Sequence, residues 1–547
     1  MINFRLAISK ANRKLPLRLA ATLLAASSLV ASLLGLFRDR LLNGLYLDTY
    51  PTGLDAYRVA FTIPDFMFFI LVSGALSVTF IPVFNQRLAT GNKRSAWELS
   101  TSLLNLLAMA TLIVSVLIII FAEPLVRFVV GPGLNEASTS LAVSMMRVIA
   151  INPFLFAIAT VFASMQQAVN RFAFYALAPV LYNLGIIIGA RFFTDGINLF
   201  GIQIFEGGIM GVALGVVLGS ILQLLVSSAG MFGMGFDYRF KVYWKNKGLH
   251  QVLRLLPPRS LDQGIDYVNG IVETNLASRF RPGSVNAYQQ ATTLSFVPIN
   301  LIGVAISTAA FPKMTERLGE GRPDLFKKEL QIVLRVIIWL ALPVTVIAYF
   351  CRGYLVNFIK DGGNQYIASI LGILALTILF RSIYFISARS FYAQQDTKTP
   401  LYISLFTISL NIILAIWFSI GLNMEVYGLA WAAVIVSIIE VAILFYVMSR
   451  RIKGLFDKIF VNAVVRMMSA TGFTAIITYL LVVLFPLNAS DAGFFASFPK
   501  FSLIVGLSLI FYIMICRVFK LEEVNPIIRR SRSIIIKFFF KQPKIKS

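Results

Sequence analysis

The residues best suited to do chemistry in this sequence are ionisable groups inside long apolar runs. Arg259, Asp262, Asp266 and Glu273 form the densest set, with Asn269 among them. On a helix turning about 100° per residue, spacings of three, four and seven put them on one stripe. Three carboxylates against one cation suit a wall that binds a cation or relays protons; a salt-bridge ladder between helices is the alternative. Other embedded charges are cationic. Arg147 and Arg381 have no carboxylate within helical reach on their own runs, and Arg58 shares a face with Asp65. Arg147 and Arg381 either pair across helices or meet an anionic ligand, and a planar guanidinium can bind two phosphate oxygens at once. Arg335 and Arg466 stand close enough to the ends of their runs to extend towards lipid headgroups. One histidine, His250, and two cysteines, Cys351 and Cys516, offer neither a histidine metal site nor a disulfide framework.

The elements that position these groups follow from composition. Of 547 residues, 58% are hydrophobic and 14% charged, and mean hydropathy is +0.80. Soluble domains carry about 25% charged residues. The chain reads as an all-α polytopic membrane protein. A helix crosses hydrocarbon in about 20 residues, which predicts fourteen spans, near 17–38, 59–85, 98–122, 138–164, 173–194, 207–233, 252–277, 287–311, 329–350, 366–391, 401–421, 427–448, 462–486 and 501–519. The first is read as a retained helix rather than a signal peptide, because it ends at Arg38-Asp39-Arg40 without a small-residue cleavage site. With the N-terminus inside, Lys and Arg outside the spans divide 34 to 10 in favour of the cytoplasm, which predicts cytoplasmic N- and C-termini. The net charge of +24 is spread in short clusters between apolar runs, so nucleic acid is not an expected partner. The basic tail would instead face anionic inner-leaflet lipid. No loop is long enough for a soluble catalytic domain, and no enzyme activity or cofactor is expected beyond coupling to a cation or proton.

The two halves of the chain share residues at a nearly constant offset. Ala75, Ser77, Pro82, Arg87, Leu88 and Gly91 match Ala305, Ser307, Pro312, Arg317, Leu318 and Gly321, 230 residues on. Gln166, Gln167 and Asn183 match Gln394, Gln395 and Asn411, 228 residues on. Six spans separate the copies, which predicts two pseudo-symmetric six-helix lobes of parallel topology. The expected organisation is a basic N-terminus (1–16), an N-lobe (17–234), a basic cytoplasmic linker (235–251), a C-lobe (252–448), two extra helices (462–519) and a basic tail (520–547). Paired lobes around a wet, charged cleft form a transporter architecture.

Several stretches are similar to one family. They are Gly35-Leu-Phe-Arg38-Asp39, Asp55-Ala-Tyr-Arg-Val-Ala-Phe, Ile63-Pro64, Ser73-Gly74-Ala75, Asn170-Arg171-Phe172 with Ala178-Pro179 and Asn183, Pro258-Arg259-Ser260, and Gly303-Val-Ala-Ile-Ser through Phe311-Pro312. Over roughly residues 15–450 the sequence resembles the MurJ/MviN lipid II flippases of the multidrug/oligosaccharidyl-lipid/polysaccharide exporter superfamily. The resemblance implies a bacterial inner-membrane carrier that moves an undecaprenyl-pyrophosphate-linked peptidoglycan precursor outward by alternating access, in company with cell-wall synthesis proteins. It implies cavity residues at Arg38, Asp39 and Asp55. Ser32, Phe68, Phe69 and Thr293 stand where members often carry arginine, and Ser73 and Phe296 where they carry acids. Arg38, Arg58, Arg147, Arg259 and Arg381 would then supply part of the substrate-binding charge. Asp262, Asp266 or Glu273, with Asn411, are the ion-coupling candidates. A flippase for another polyprenyl-linked glycan, a MATE-like cation-coupled drug exporter and a non-transporting scaffold for cell-wall enzymes are the rival readings.

Overall fold

Backbone polar groups in lipid must be satisfied within the protein, and a helix does this inside a single segment. The computed structural model describes residues 16–73, 76–199, 202–488 and 491–525, without the side chains of 257–263, 265, 266 and several others. Ala75, the side chains of Arg259, Asp262 and Asp266, and the tail from 526 onward therefore lie outside the described residues. By its contacts the chain divides into residues 1–286 and residues 287–547.

The first unit contains α1 (Leu17–Tyr46), α2 (Pro51–Phe68), α3 (Ile81–Ala89), α4 (Lys93–Pro124), α5 (Glu136–Ile149), α6 (Asn152–Ala168) and α7 (Ala173–Ile188), then β1 (Ile197–Leu199), β2 (Ile202–Phe205), α8 (Met210–Ala229) and α9 (Lys247–Ser278). The two short strands form an antiparallel hairpin that the hydropathy pattern does not announce. Asparagine side chains start several helices: Asn92, Asn135 and Asn246 accept the Ser95, Ser138 and Gly248 amides that have no partner within the helix. The core joins Leu99 and Leu103 of α4 to Val161 and Met165 of α6, and takes in Leu249 and Val252 of α9. Helix α9 thus begins at Lys247, five residues before the expected span, and packs with the N-terminal helices. Between α7 and α8 the backbones are in direct contact: a methyl group on Gly185 or Gly189 would collide with the backbone of Gly219 or Gly215. Small residues allow this closeness and add dispersion contacts that lipid cannot replace.

Helix α10 (Ser284–Ile299) starts at the end of the first unit. The second then holds α11 (Ala305–Gly319), α12 (Pro323–Phe350), α13 (Arg352–Asn357), α14 (Gln365–Ala375), α15 (Thr377–Ala393), α16 (Lys398–Ile416), α17 (Glu425–Arg451), α18 (Lys458–Leu484) and α19 (Phe494–Val518). Its core centres on Leu330, Leu334 and Ile337 of α12, with Met448, Met467 and Cys516 from α17, α18 and α19. The two helices outside the repeat are therefore packed onto α12. Trp339 Nε1 donates to Cys516 Sγ at 3.4 Å, and the Tyr512 hydroxyl donates to the Trp339 carbonyl at 2.9 Å. Arg335 pairs with Glu523, 2.5 Å away in the turn after α19.

Among the described residues, eleven helices are long and apolar enough to cross a membrane, or twelve if α14 and α15, bent by 43°, count as one span. This does not confirm the expected fourteen. The two left over are 59–85, of which positions 74 and 75 lie outside the described residues, and 252–277, whose helix α9 carries the charged stripe.

Local geometry repeats between the halves. The α3–α4 and α11–α12 turns pass through Gly91 (φ 77°) and Gly321 (φ 69°), a left-handed conformation that favours glycine. They close with the same bond, Asn92 amide to Arg87 carbonyl at 3.0 Å and Arg322 amide to Arg317 carbonyl at 2.9 Å. Wide π-helical turns recur as well, at Phe69–Ser73 and Asn300–Val304, then at Gly189–Phe193 and Trp417–Gly421. The paired glutamines behave differently. In the α6–α7 and α15–α16 turns the left-handed residues are Asn170 and Gln395, so Gln167 and Gln395 do not occupy equivalent places. Helix α16 is three residues longer than α7, which restores the 228-residue offset at Asn183 and Asn411.

Candidate functional site

Arg38 and Asp39 lie in the last turns of α1, Asp55 and Arg58 in the first turns of α2, and the fold brings all four together. Asp39 Oδ1 stands 3.0 Å from Arg38 Nη2 and 3.4 Å from Arg58 Nη2. The carboxylate is buried, while the two arginine side chains keep 20% and 14% of their exposure. Each guanidinium is also aimed by an amide: Arg38 Nη1 donates to Asn183 Oδ1 at 3.2 Å, and Arg58 Nε donates to Asn286 Oδ1 at 3.1 Å. Two cations therefore share one anion in a mostly buried setting. The partly open guanidinium edges suit a phosphate-bearing ligand.

Asp55 does different work. Its Oδ2 accepts the Gly283 amide at 2.6 Å and its Oδ1 the Asn286 amide at 2.8 Å. It ties α2 to the turn that opens α10, where Gly283 has φ 86°. With both oxygens engaged, Asp55 is a positioning residue for Asn286 and, through it, for Arg58.

The other expected residues are dispersed. Arg147 is exposed and its Nε donates to the Ile119 carbonyl at 3.4 Å, so it does not join the Arg38 group. Arg381 Nη1 lies 3.5 Å from Glu440 Oε2 of α17, a partner across helices. Glu440 is buried, and its Oε1 accepts from Thr407 Oγ1 at 3.1 Å and Ser404 Oγ at 3.4 Å. Asn411 is buried one turn beyond Thr407 on α16. On α9, Asn269 Nδ2 donates to Glu273 Oε1 at 2.9 Å, so part of the stripe is engaged internally. Among the described residues, no group of three His, Cys, Asp or Glu could hold a metal ion. Two places where the resemblance implies arginine are aromatic. Phe69 stacks on Tyr267 with centroids 4.3 Å apart, and Phe68 meets Phe156 edge-on at 5.3 Å.

Glu440 and Asn286 escape the sequence reading. Glu440 carries a usable signal, as a lone carboxylate within an apolar run. Asn286 carries none, because its role depends on the Asp55 tie.

The model of the family described as "Lipid II flippase MurJ" matches residues 51–497. The chain belongs to the MurJ lipid II flippase family. Asp55 and Arg58 fall within the match, and Arg38 and Asp39 precede it. A MurJ relative from Thermotoga maritima, named a probable lipid II flippase, is 26% identical over 499 residues, covering 91% of this chain and 95% of its own. Another from Borreliella burgdorferi is 25% identical over 476 residues, covering 84% and 89%. Among solved structures, a MurJ lipid II flippase in an inward closed conformation matches with TM-score 0.73 at 22% identity, over 91% of this chain and 98% of that one. An inward-facing MATE family multidrug transporter of the MOP superfamily matches with TM-score 0.66 at 17% identity, over 78% and 96%. These structural likenesses show a shared fold. MurJ is a family of transporters rather than enzymes, and its membership together with the many apolar helices makes this a multi-pass protein of the bacterial inner membrane.

Proposed function

We propose that the chain carries lipid II, an undecaprenyl-pyrophosphate-linked peptidoglycan precursor, from the inner to the outer leaflet by alternating access. The observation that carries this reading is the family match over residues 51–497, and the Arg38–Asp39–Arg58 group supplies its chemistry. A glycan-pyrophosphate headgroup cannot cross hydrocarbon unaided, whereas its polyprenyl tail can remain in lipid. Arg38 and Arg58 offer the pyrophosphate fixed donors, with Asp39 as the internal anion that a substrate phosphate would replace. With both termini cytoplasmic, the inner-negative potential favours outward movement of the anion by about 2.3 kcal/mol per charge per 100 mV. Coupling to a sodium ion or proton through Asp262, Asp266 or Glu273, with Asn411, belongs to the same proposal, as do anionic lipids at the basic tail and contacts with cell-wall synthesis proteins.

The aromatic replacements at Phe68 and Phe69 favour, as a second reading, a different polyprenyl-linked glycan. One experiment tests both. The chain is expressed in a bacterium depleted of its lipid II flippase, and outer-leaflet exposure of labelled lipid II is measured. Restored growth and exposure, both abolished by Arg38→Ala with Arg58→Ala, are expected. Normal expression without restored exposure overturns the lipid II reading, and the precursor that accumulates when the native gene is depleted then identifies the other glycan.

A further inference from the structure

One face of the first unit carries two cavities along a single helix. The first, about 1140 Å³, lies where α3, α4 and the segment before α9 meet. Five cations line it, Arg87, Arg94, Lys241, Lys245 and Lys247, against one carboxylate, Glu98. Glu98 is already engaged, 3.1 Å from Arg94 Nε. Both α4 and α9, each 32 residues long, begin at this cavity, and the positive ends of their dipoles add to its field. The second cavity, about 360 Å³, lies further along α4 and is almost wholly apolar, with Leu104, Ala108, Leu112, Phe154, Phe162 and Phe240 in its walls. From Glu98 to the stretch between Leu104 and Leu112 is roughly 10–20 Å along the helix axis.

The segment 238–247 holds the two together. Asn105 Nδ2 donates to the Arg239 and Lys241 carbonyls at 3.0 and 3.1 Å, the Tyr238 hydroxyl donates to Asn105 Oδ1 at 2.9 Å, and the Tyr243 amide donates to Ser102 Oγ at 2.8 Å. This pins a strand of chain across α4, with cations on one side and Phe240, 80% exposed, on the other. Tyr238 and Trp244 are exposed beside it, aromatic residues of the kind that collect at membrane–water interfaces.

We propose that this pair of cavities binds an anionic glycerophospholipid, its phosphate in the basic cavity and an acyl chain in the apolar one. Charge alone would suit any phosphate. The apolar cavity beside it on the same helix selects a ligand whose anion is joined to a hydrocarbon chain. The site is separate from the Arg38 group and does not depend on what the chain transports.

The test uses the full chain purified in detergent, with lipid binding measured by native mass spectrometry. Phosphatidylglycerol is titrated against phosphatidylcholine, with sn-glycerol 3-phosphate as soluble competitor. Replacing three exposed cations, Arg94→Gln with Lys245→Gln and Lys247→Gln, is expected to weaken phosphatidylglycerol by roughly two orders of magnitude at low ionic strength. The same charge change in the second unit, Arg450→Gln with Lys453→Gln and Lys458→Gln, is expected to leave it within two-fold. Phe240→Ser, at a position 80% exposed, is expected to weaken the lipid several-fold. Equal losses in the two triple variants, no loss in Phe240→Ser, or competition by glycerol 3-phosphate at the lipid's own concentration would each overturn the proposal, the last in favour of a free-phosphate site.

Discussion

Asp55→Ala removes both acceptors of the Gly283 and Asn286 amides at a position that is 3% exposed. A hydrogen bond to a charged partner contributes about 1.5–3 kcal/mol, so losing two destabilises the α2–α10 junction by about 3–6 kcal/mol. Asp55→Asn keeps one acceptor oxygen but turns an NH2 group towards an amide donor. It should retain about half of the tie. The loss spreads beyond the junction, because Asn286 Oδ1 is also the acceptor for Arg58 Nε. Thermal unfolding of purified protein in one detergent should rank wild type above Asp55→Asn and Asp55→Ala lowest. Translocation should fall in the same order and recover on cooling, as the junction re-forms. If Asp55→Ala unfolds with the wild type while translocation is lost at every temperature, the carboxylate acts on substrate and the positioning argument is wrong.

Other positions give sharper, smaller tests. Glu440→Leu should destabilise the second unit by removing a buried carboxylate that accepts from Thr407 and Ser404 and pairs with Arg381, whose side chain keeps 35% of its exposure, and adding Arg381→Leu should restore only part of the loss; thermal unfolding of both variants and the double variant measures the coupling. Gly215→Val should push α7 and α8 apart at a backbone contact and sharply reduce the yield of folded protein, whereas Gly472→Ala, with open space around it, should not. Asp396 lies in the α15–α16 turn. Partial burial raises its pKa, but hydrogen bonds from Thr399 and the ion pair with Arg451 outweigh it and hold the carboxyl at about 2. A depressed folded-state pKa gives stability that is present above the unfolded value and lost as pH falls towards 2. The difference in unfolding temperature between wild type and Asp396→Asn should therefore be constant from pH 5 to 8 and shrink below pH 4.

The membrane class, most helices and the individual charges are legible in the sequence because each rests on local signals: apolar length, prolines, and ionisable residues out of place. Arg38, Asp39, Asp55 and Arg58 stand out in this way. Their company does not. Asn183 reaches Arg38 from 145 positions away and Asn286 reaches Arg58 from 228, distances at which no periodicity speaks. Asp55 shows the limit most clearly, since the resemblance marks its position while the geometry assigns its oxygens to backbone amides. Arg381 stands mid-run and Arg335 near the end of its run, and neither position names its partner. Their acids, Glu440 and Glu523, lie on other segments and become partners through packing. The glutamine pairs show a further limit: identity at a fixed offset located the right turn but not the right register within it.

The wide turns at Phe69–Ser73 and Asn300–Val304 carry a mechanical consequence. A π turn accommodates one residue more than an α turn, so everything beyond it is rotated by about 100° from where an uninterrupted helix would point it. In the second unit this sets which edge of α11 receives Met314, a side chain with no exposure. Deleting a single residue from 300–304 would leave the hydropathy profile almost untouched and yet swing Met314 and Arg317 a quarter-turn around the rod, trading a greasy contact for a charged one. Loss of one amino acid there would be felt as a twist, whereas the same loss in an exposed loop would be felt as slack.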